Sequence, residues 1–335
     1  MRRLAPGHRR HRAPVKRAAR VALAAGLAAL ALGVLPVAAS AWRHHGGPPC
    51  NGFAALCSRT LDRVVLAGTH NSMSSESLGW AIPNQIGDIP SQLRGGIRAL
   101  LIDTHYGVRR PDGTVVTADP GSPPPPPGPK ETFLCHAYCE IGATPLREGL
   151  GWIRDFLRAH RREVMVIVNE DYISPDDYAA AVRDSGLSRY VYRGRTDRFP
   201  TLRRMIRRGR RVLMLAEHDA GTVPWYHPAY QGILQETPYS FSTTAELTDP
   251  AQLATSCRPN RGGTTAPLFL MNHWVLVNGV PSRAAAQVVN TRQAIVDRAR
   301  ACAKARGKLP TIVAVDSFGI GDLIGAVNEL NGVGS

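Results

Sequence analysis

Two histidines stand where short apolar runs end, at positions suited to acid–base chemistry. His70 follows the apolar run 64–67 within Gly68-Thr69-His70-Asn71-Ser72, and His136 follows the apolar run 132–134. Imidazole titrates at about pH 6.5, so one ring can take a proton from a nucleophile while another gives a proton to a leaving group. A phosphodiester cleaved by an internal hydroxyl requires both steps. The residue pair therefore predicts an enzyme.

The elements that must position these histidines alternate along the chain. Short apolar runs lie at 64–67, 97–102, 132–134, 164–168, 212–216, 268–271 and 312–315. They are typical of buried parallel strands. Amphipathic helices are predicted at 145–160 and 282–306. This alternation over about 290 residues favours an α/β fold with one β/α barrel of the TIM type, and an open sheet is the alternative.

Other polar side chains also follow the predicted strands. Asp103, Glu170 and Asp316 each end an apolar run, as the two histidines do. In a parallel barrel, the carboxyl ends of the strands meet at one mouth. One site at this mouth explains all five groups together, whereas separate structural roles would need five unrelated reasons.

Four segments carry a family resemblance. They are Leu66-Ala67-Gly68-Thr69-His70-Asn71-Ser72, Gly96-Ile97-Arg98-Ala99-Leu100-Leu101-Ile102-Asp103, Glu163-Val164-Met165-Val166-Ile167-Val168-Asn169-Glu170 and Ala314-Val315-Asp316-Ser317-Phe318. In this order, with the His136 strand, the chain resembles the phosphatidylinositol-specific phospholipase C superfamily. The resemblance covers most of the chain after residue 41 and implies an irregular TIM-type (β/α)8 barrel.

The resemblance also implies a role for each catalytic group. His70 matches the general base that deprotonates the inositol 2-hydroxyl, and His136 matches the general acid that protonates the diacylglycerol oxygen. The first product would be a cyclic inositol phosphate. Asp316 would orient His70, since a carboxylate bonded to the base fixes its tautomer.

The same resemblance implies a calcium cofactor. Some members place an arginine where others bind the metal, and this chain carries Asp103 at that position. Asn71 and Glu170 complete a set of oxygen ligands of the kind that calcium accepts. One departure is Leu101, which stands where calcium-dependent eukaryotic members have an acid.

Substrate contacts are predicted at the same rim. Glu217, Asn272 and Trp274 follow two of the strands and are candidates for binding the headgroup. Trp274, or Trp225 with Tyr226, is a candidate for a lipid interface instead, and ordinary rim packing is the alternative. The expected partner is a phospholipid or another phosphodiester, with peripheral membrane contact.

Two other functions remain open at this point. A catalytically silent barrel that binds inositol or another polyol is compatible with Leu101. Phosphodiesterases of the glycerophosphodiester or sphingomyelinase D type also use two histidines, but the former expect an acid in an Arg-Gly context after the first strand. The oligomeric state does not follow from the sequence.

The first 41 residues predict export. Residues 2–20 carry eight Lys or Arg and no acid, the apolar stretch 21–37 follows, and Ala39-Ser40-Ala41 fits a cleavage site. This pattern predicts a secretory signal peptide over 1–41 and a single barrel domain over 42–335, with an uncleaved anchor as the alternative. Subtracting those eight residues from 41 leaves 33 basic against 26 acidic residues, or +7.

An arginine cluster occupies 203–211. It is interpreted as a solvated helix face, with contact to an anionic membrane surface or to nucleic acid as the alternative. No aromatic residues interleave with it, so no nucleic-acid partner is expected.

Six cysteines in an exported chain indicate disulfides. Their spacing favours Cys50–Cys57, Cys135–Cys139 and Cys257–Cys302, with zinc at the middle pair as the alternative. The prolines at 123–127 form a stiff loop before the His136 strand, either a lid or an exposed insertion.

Overall fold

Eight parallel strands form the central sheet of this protein. The computed structural model describes residues 48–334. The strands along the chain are β1 Leu66–Thr69, β2 Ala99–Arg109, β3 Val115–Thr117, β4 Lys130–His136, β5 Tyr138–Pro145, β6 Met165–Asp171, β7 Val212–Ala216, β8 Tyr226–Pro228, β9 Leu234–Glu236, β10 Leu268–His273, β11 Leu276–Val277, β12 Val280–Pro281 and β13 Ile312–Val315.

The helices complete the alternation. They are α1 Ile89–Arg94, α2 Leu146–Ala159, α3 Pro175–Asp184, α4 Leu202–Arg207, α5 Ala245–Thr248, α6 Pro250–Ser256, α7 Arg283–Val289, α8 Arg292–Arg306 and α9 Leu323–Leu330. Short 3-10 helices cover Ala54–Ser58, Leu61–Arg63, Glu76–Leu78 and Leu187–Tyr190.

The parallel strands follow one another around the sheet in chain order. The sheet order is β8-β7-β6-β2-β1-β13-β10-β9, so the first parallel strand pairs with the last and the sheet curls toward a barrel. Within residues 48–334, no ladder joins β8 to β9, and the barrel is open there. The predicted irregular β/α barrel is therefore confirmed.

Alternating side chains on each strand fill two apolar layers. In β2, Ala99 and Leu101 belong to the cluster inside the barrel, whereas Leu100 and Ile102 pack outward with α1 and α2. This double burial explains why the strands read as continuous apolar runs.

Two predicted elements differ from the structure. β4 is antiparallel to β2 and belongs to an excursion, β3–β4–β5, that extends the long β2 strand beyond the barrel. The helix predicted over 282–306 is two helices, because Thr291 caps the second by accepting a hydrogen bond from the Ala294 amide. The break places Asn290 where its amide donates to the Asp316 carbonyl, at 2.8 Å.

All three predicted disulfides are present: Cys50–Cys57, Cys135–Cys139 and Cys257–Cys302. The zinc alternative is therefore wrong. The predicted signal peptide at 1–41 lies outside the described residues. Between residues 48 and 334, no helix is long and apolar enough to cross a membrane.

Candidate active site

The period of two along the strands directs polar side chains into the mouth of the barrel. Leu101, Val168 and Leu270 belong to the interior apolar cluster. Side chains on one strand face alternate every second residue, so the next interior positions are Asp103, Glu170 and Asn272. The same spacing of two residues holds for four other strands, where the polar residue follows an interior position: Gly68 and His70, Leu215 and Glu217, Leu234 and Glu236, Ala314 and Asp316.

A cavity of about 230 Å³ occupies this mouth. Its lining includes eight of the nine residues predicted for the site: His70, Asn71, Asp103, His136, Glu170, Glu217, Asn272 and Trp274. The ninth, Asp316, contacts His70 from behind. The structure thus brings the whole predicted set together.

His70 is held from two sides. Its Nδ1 lies 2.9 Å from Oδ1 of Asp316, and its ring stacks on the Trp274 indole at a centroid distance of 3.8 Å. Asn84 donates to the same Asp316 oxygen, at 3.2 Å. With Nδ1 directed at a carboxylate, Nε2 is the nitrogen available to accept a proton from a nucleophile.

His136 faces His70 across the cavity, with ring centroids 6.5 Å apart. The strand register shifts between Cys135 and His136, and Ala137 has a left-handed φ of 61°. Nδ1 of His136 is buried and has no hydrogen-bond partner in the described structure. The Cys135–Cys139 disulfide encloses this distorted segment.

Burial lowers the pKa of His136 to about 4, and the neighbouring His70 contributes in the same direction. The free protein therefore holds His136 neutral at pH 7. A general acid must be protonated when it acts, and the negative charge of a bound phosphodiester would favour that form.

Carboxylates crowd the floor of the cavity. Asp103 is 5% exposed, and its side chain accepts no hydrogen bond from the described residues. Its pKa is raised well above the usual value, mainly by burial and then by the charges of Glu170 and Glu217. Glu170 accepts a hydrogen bond from the Tyr172 hydroxyl.

The predicted calcium ligands fit a hard cation by their chemistry. Within 48–334, no three His, Cys, Asp or Glu side chains are clustered as a metal site. The proposed set therefore has two carboxylates, Asp103 and Glu170, and needs the amide oxygen of Asn71 as its third ligand. The Asn71 amide nitrogen donates to Asn84 Oδ1 at 3.4 Å, so its oxygen is the atom left to face a cation. The buried, unbonded Asp103 carboxylate is the feature that a cation would stabilise.

Sequence reasoning missed an arginine that spans two carboxylates. Arg261 contacts Glu217 at 2.5 Å and Glu236 at 2.6 Å. Glu236 also accepts from the Asn272 amide, at 3.1 Å. Glu236 ends the three-residue β9, too short a strand to be recognised, and Arg261 lies in the loop before β10 with no motif around it.

Three aromatic predictions need correction. Trp225 and Tyr226 are buried in the outer apolar core, so their assignment to a lipid interface is wrong. Trp274 is also buried, since its ring stacks on His70. It lines the cavity and supports the His70 ring. The proline loop 123–127 contributes no residue to the cavity.

Comparison with known proteins gives a family match over most of the chain. The model of the family described as PI-PLC X 1 matches residues 129–331. Two proteins of Arthroderma benhamiae are each 26% identical to this chain. One is named an uncharacterized secreted protein and aligns over 84% of this chain and 63% of its own length. The other is named PI-PLC X domain-containing protein 1 and aligns over 85% of this chain and 90% of its own length. The chain thus spans less than two thirds of the first relative.

Solved structures show the same fold. A pentafluoro-Phe-containing phosphatidylinositol-specific phospholipase C from Staphylococcus aureus has a TM-score of 0.52 at 14% identity, covering 83% of this chain and 94% of that chain. A double mutant of the S. aureus enzyme gives a TM-score of 0.52 at 13% identity, with 83% and 95% covered. These matches concern the fold alone.

Proposed function

The chain belongs to the PI-PLC X 1 family, and from this premise we propose that it is a phospholipase C that cleaves the glycerol–phosphate bond of phosphatidylinositol. The observation that carries the proposal is the pair of histidines across one cavity, with only His70 backed by a carboxylate. Such a pair supports two opposite proton transfers in one reaction.

His70 acts as the base in this proposal. Its Nε2 takes the proton of the inositol 2-hydroxyl, whose oxygen attacks the adjacent phosphorus as the bond to the glycerol oxygen breaks. Asp316 stabilises the imidazolium that forms. His136 gives its proton to the glycerol oxygen, so the products are diacylglycerol and a cyclic inositol phosphate. Water then opens the cyclic ester with the two histidines in reversed roles.

Calcium is proposed as the cofactor, held by Asn71, Asp103 and Glu170. When bound, it would offset negative charge on the phosphate oxygens. The remaining polar groups are assigned to the headgroup: Glu217 and Asn272 accept or donate hydrogen bonds to hydroxyls. Burial raises the pKa of Glu217, and the Arg261 guanidinium acts against that rise.

The lipid surface would meet the loops around the mouth. Exposed apolar side chains lie in the segments that follow the carboxyl ends of strands: Leu78, Ile82, Tyr138, Tyr172, Tyr239 and Val277. We therefore propose peripheral membrane contact at the mouth. The signal peptide over 1–41, cleavage after Ala41 and a single barrel domain over 42–335 are part of the same proposal, supported by the three disulfides.

Hydrolysis of phosphatidylinositol vesicles by the protein lacking residues 1–41 tests the proposal. Water-soluble inositol phosphates are followed with calcium and then with excess chelator. We expect calcium-dependent release that His70→Ala and His136→Ala abolish, while the exposed His160→Ala leaves it unchanged. Activity with chelator present would contradict the calcium assignment alone.

Folded protein with no activity in either condition would contradict the enzyme assignment. Inositol binding by that inactive protein would favour a silent polyol-binding barrel. Turnover of a glycerophosphodiester or sphingomyelin would favour the related phosphodiesterases.

A further inference from the structure

A dense arginine cluster lies away from the site. Residues 189–211 contain ten arginines and one acid, Asp197. We name the exposed arginines of this segment the arginine face: Arg189, Arg193, Arg195, Arg198, Arg203, Arg204, Arg207 and Arg208. Arg211 is excluded because it is buried and donates to backbone carbonyls of Leu157 and His160.

Most of these guanidinium groups have no acidic partner. Arg195 pairs with Asp197, and within the described residues no other member of the arginine face lies within 4.0 Å of a carboxylate. Arg203 and Arg207 are four residues apart on α4, as are Arg204 and Arg208, and like charges at that spacing repel. Because no acidic side chain compensates this repulsion within the described residues, a bound anion would reduce it.

The arginine face is also concave. One groove is lined by Thr201, Arg203, Arg204, Arg207 and Arg208. A second is lined by Arg193, Pro200, Arg208 and Arg210 with neighbouring residues. The two grooves share Arg208 and therefore lie next to each other, whereas a solvated convex helix face would provide no groove.

The face lies at the barrel end opposite the mouth. Arg210 and Arg211 directly precede β7. Thr201 forms an isolated β-bridge with Thr60, which lies in the segment before β1. Residues that precede parallel strands lie at the amino end of the sheet. The site residues follow the strands instead. A ligand on the arginine face would leave the mouth free.

The chemistry of the face selects its partner. Arginine presents a planar fork of donors that matches phosphate oxygens. The large apolar side chains exposed elsewhere are absent from residues 189–211, so nothing there would enter a bilayer. A membrane bound at this end would also keep the mouth away from lipid. Tyr192 and Phe199 are buried, and the half-buried Tyr190 ring is covered by the Arg211 guanidinium, so no ring of residues 189–211 is free to stack on bases.

We propose that the arginine face binds a linear anionic polymer of repeated phosphate groups that carries no bases, while the mouth remains open to substrate. This second site is independent of the proposed catalytic function. It would hold the protein at a phosphate-rich polymer without occupying the cavity.

Fluorescence anisotropy with labelled long-chain inorganic polyphosphate tests the proposal on the protein lacking residues 1–41. The variant combines Arg203→Gln, Arg204→Gln, Arg207→Gln and Arg208→Gln. Its control carries four exposed arginines changed elsewhere, Arg94→Gln, Arg110→Gln, Arg147→Gln and Arg258→Gln, so both have the same net charge. Thermal unfolding checks that both fold.

We expect the face variant to bind polyphosphate about tenfold or more weakly and to show a shallower dependence on salt, because phosphate contacts release counterions. The control should bind within about twofold of the unmodified chain, since its arginines lie elsewhere. Hydrolysis at the mouth should be unchanged in the face variant.

Three results would overturn the proposal. An equal loss of polyphosphate affinity in both variants would mean that binding depends on net charge alone and not on the arginine face. Tighter binding to duplex DNA than to polyphosphate would indicate a nucleic-acid surface. Binding to phosphatidylglycerol vesicles that the face variant loses would indicate a membrane surface.

Discussion

The Cys135–Cys139 disulfide should control His136, the proposed general acid. His70 is oriented by Asp316 and Trp274, but Nδ1 of His136 has no hydrogen-bond partner among residues 48–334 to fix its ring. Its position depends on the backbone of a distorted strand end that the disulfide closes. Changing both cysteines to alanine removes this constraint without altering either histidine.

The expected loss follows from the role of the acid. A positioned general acid contributes about 10²- to 10⁴-fold, so release of diacylglycerol should slow by about 10²-fold in kcat. A nitrophenyl leaving group departs without a proton. Cleavage of an inositol nitrophenyl phosphodiester should therefore change by less than about threefold.

The control is the other short disulfide. Cys50–Cys57 closes a loop of similar size and lies outside the cavity. Each short bridge stabilises the fold by about 2 kcal/mol in the chain-entropy description, so the two double variants should lose similar stability. Equal kinetic losses on both substrates would refute the reasoning, as would a matching loss in the Cys50→Ala/Cys57→Ala control.

Three further predictions follow from the site. Asp316→Asn should lower kcat by about 10²-fold or more at nearly unchanged KM, because Asn cannot stabilise protonated His70. Steady-state kinetics measure both constants, and an unchanged kcat would contradict this role of Asp316. The pKa of His136, about 4 in the folded chain against 6.5 unfolded, means that stability is lost as pH falls through this window. His136→Gln should therefore reduce the loss of unfolding free energy between pH 7 and pH 5 by about 2 kcal/mol in urea titrations, and an identical pH dependence would count against it. Asp103→Asn should raise the melting temperature in chelator, because the pKa of Asp103 is raised and its ionised form costs stability at pH 7. The same variant should lose the further rise that calcium gives the unmodified protein, and an undiminished rise would exclude Asp103 as a ligand.

Strand periodicity made much of the site predictable. Because Leu101, Val168 and Leu270 are apolar and interior, the polar residues two positions later had to face the mouth. The disulfides were predictable because their members are close in sequence or left over from the local pairs. Buried runs of β-branched and aliphatic residues located six of the parallel strands.

The missed features depend on tertiary contacts. Strands β8 and β9 have three residues each, so they carry no recognisable pattern. Arg261 is fixed by Glu217 and Glu236, which come from different strands, and no local motif links them. Trp274 was correctly placed at the mouth, but its stack on His70 depends on the pairing of β10 with β13 and β13 with β1.

Phosphorus NMR of the first product tests the central claim most directly. The protein lacking residues 1–41 is mixed with phosphatidylinositol, and the water-soluble phosphorus species are followed from the earliest turnover. If His70 activates the inositol 2-hydroxyl, a five-membered cyclic phosphodiester should form first and the open monoester should follow. An open monoester formed from the start, with no cyclic species, would mean that water attacks the phosphorus and would contradict the account.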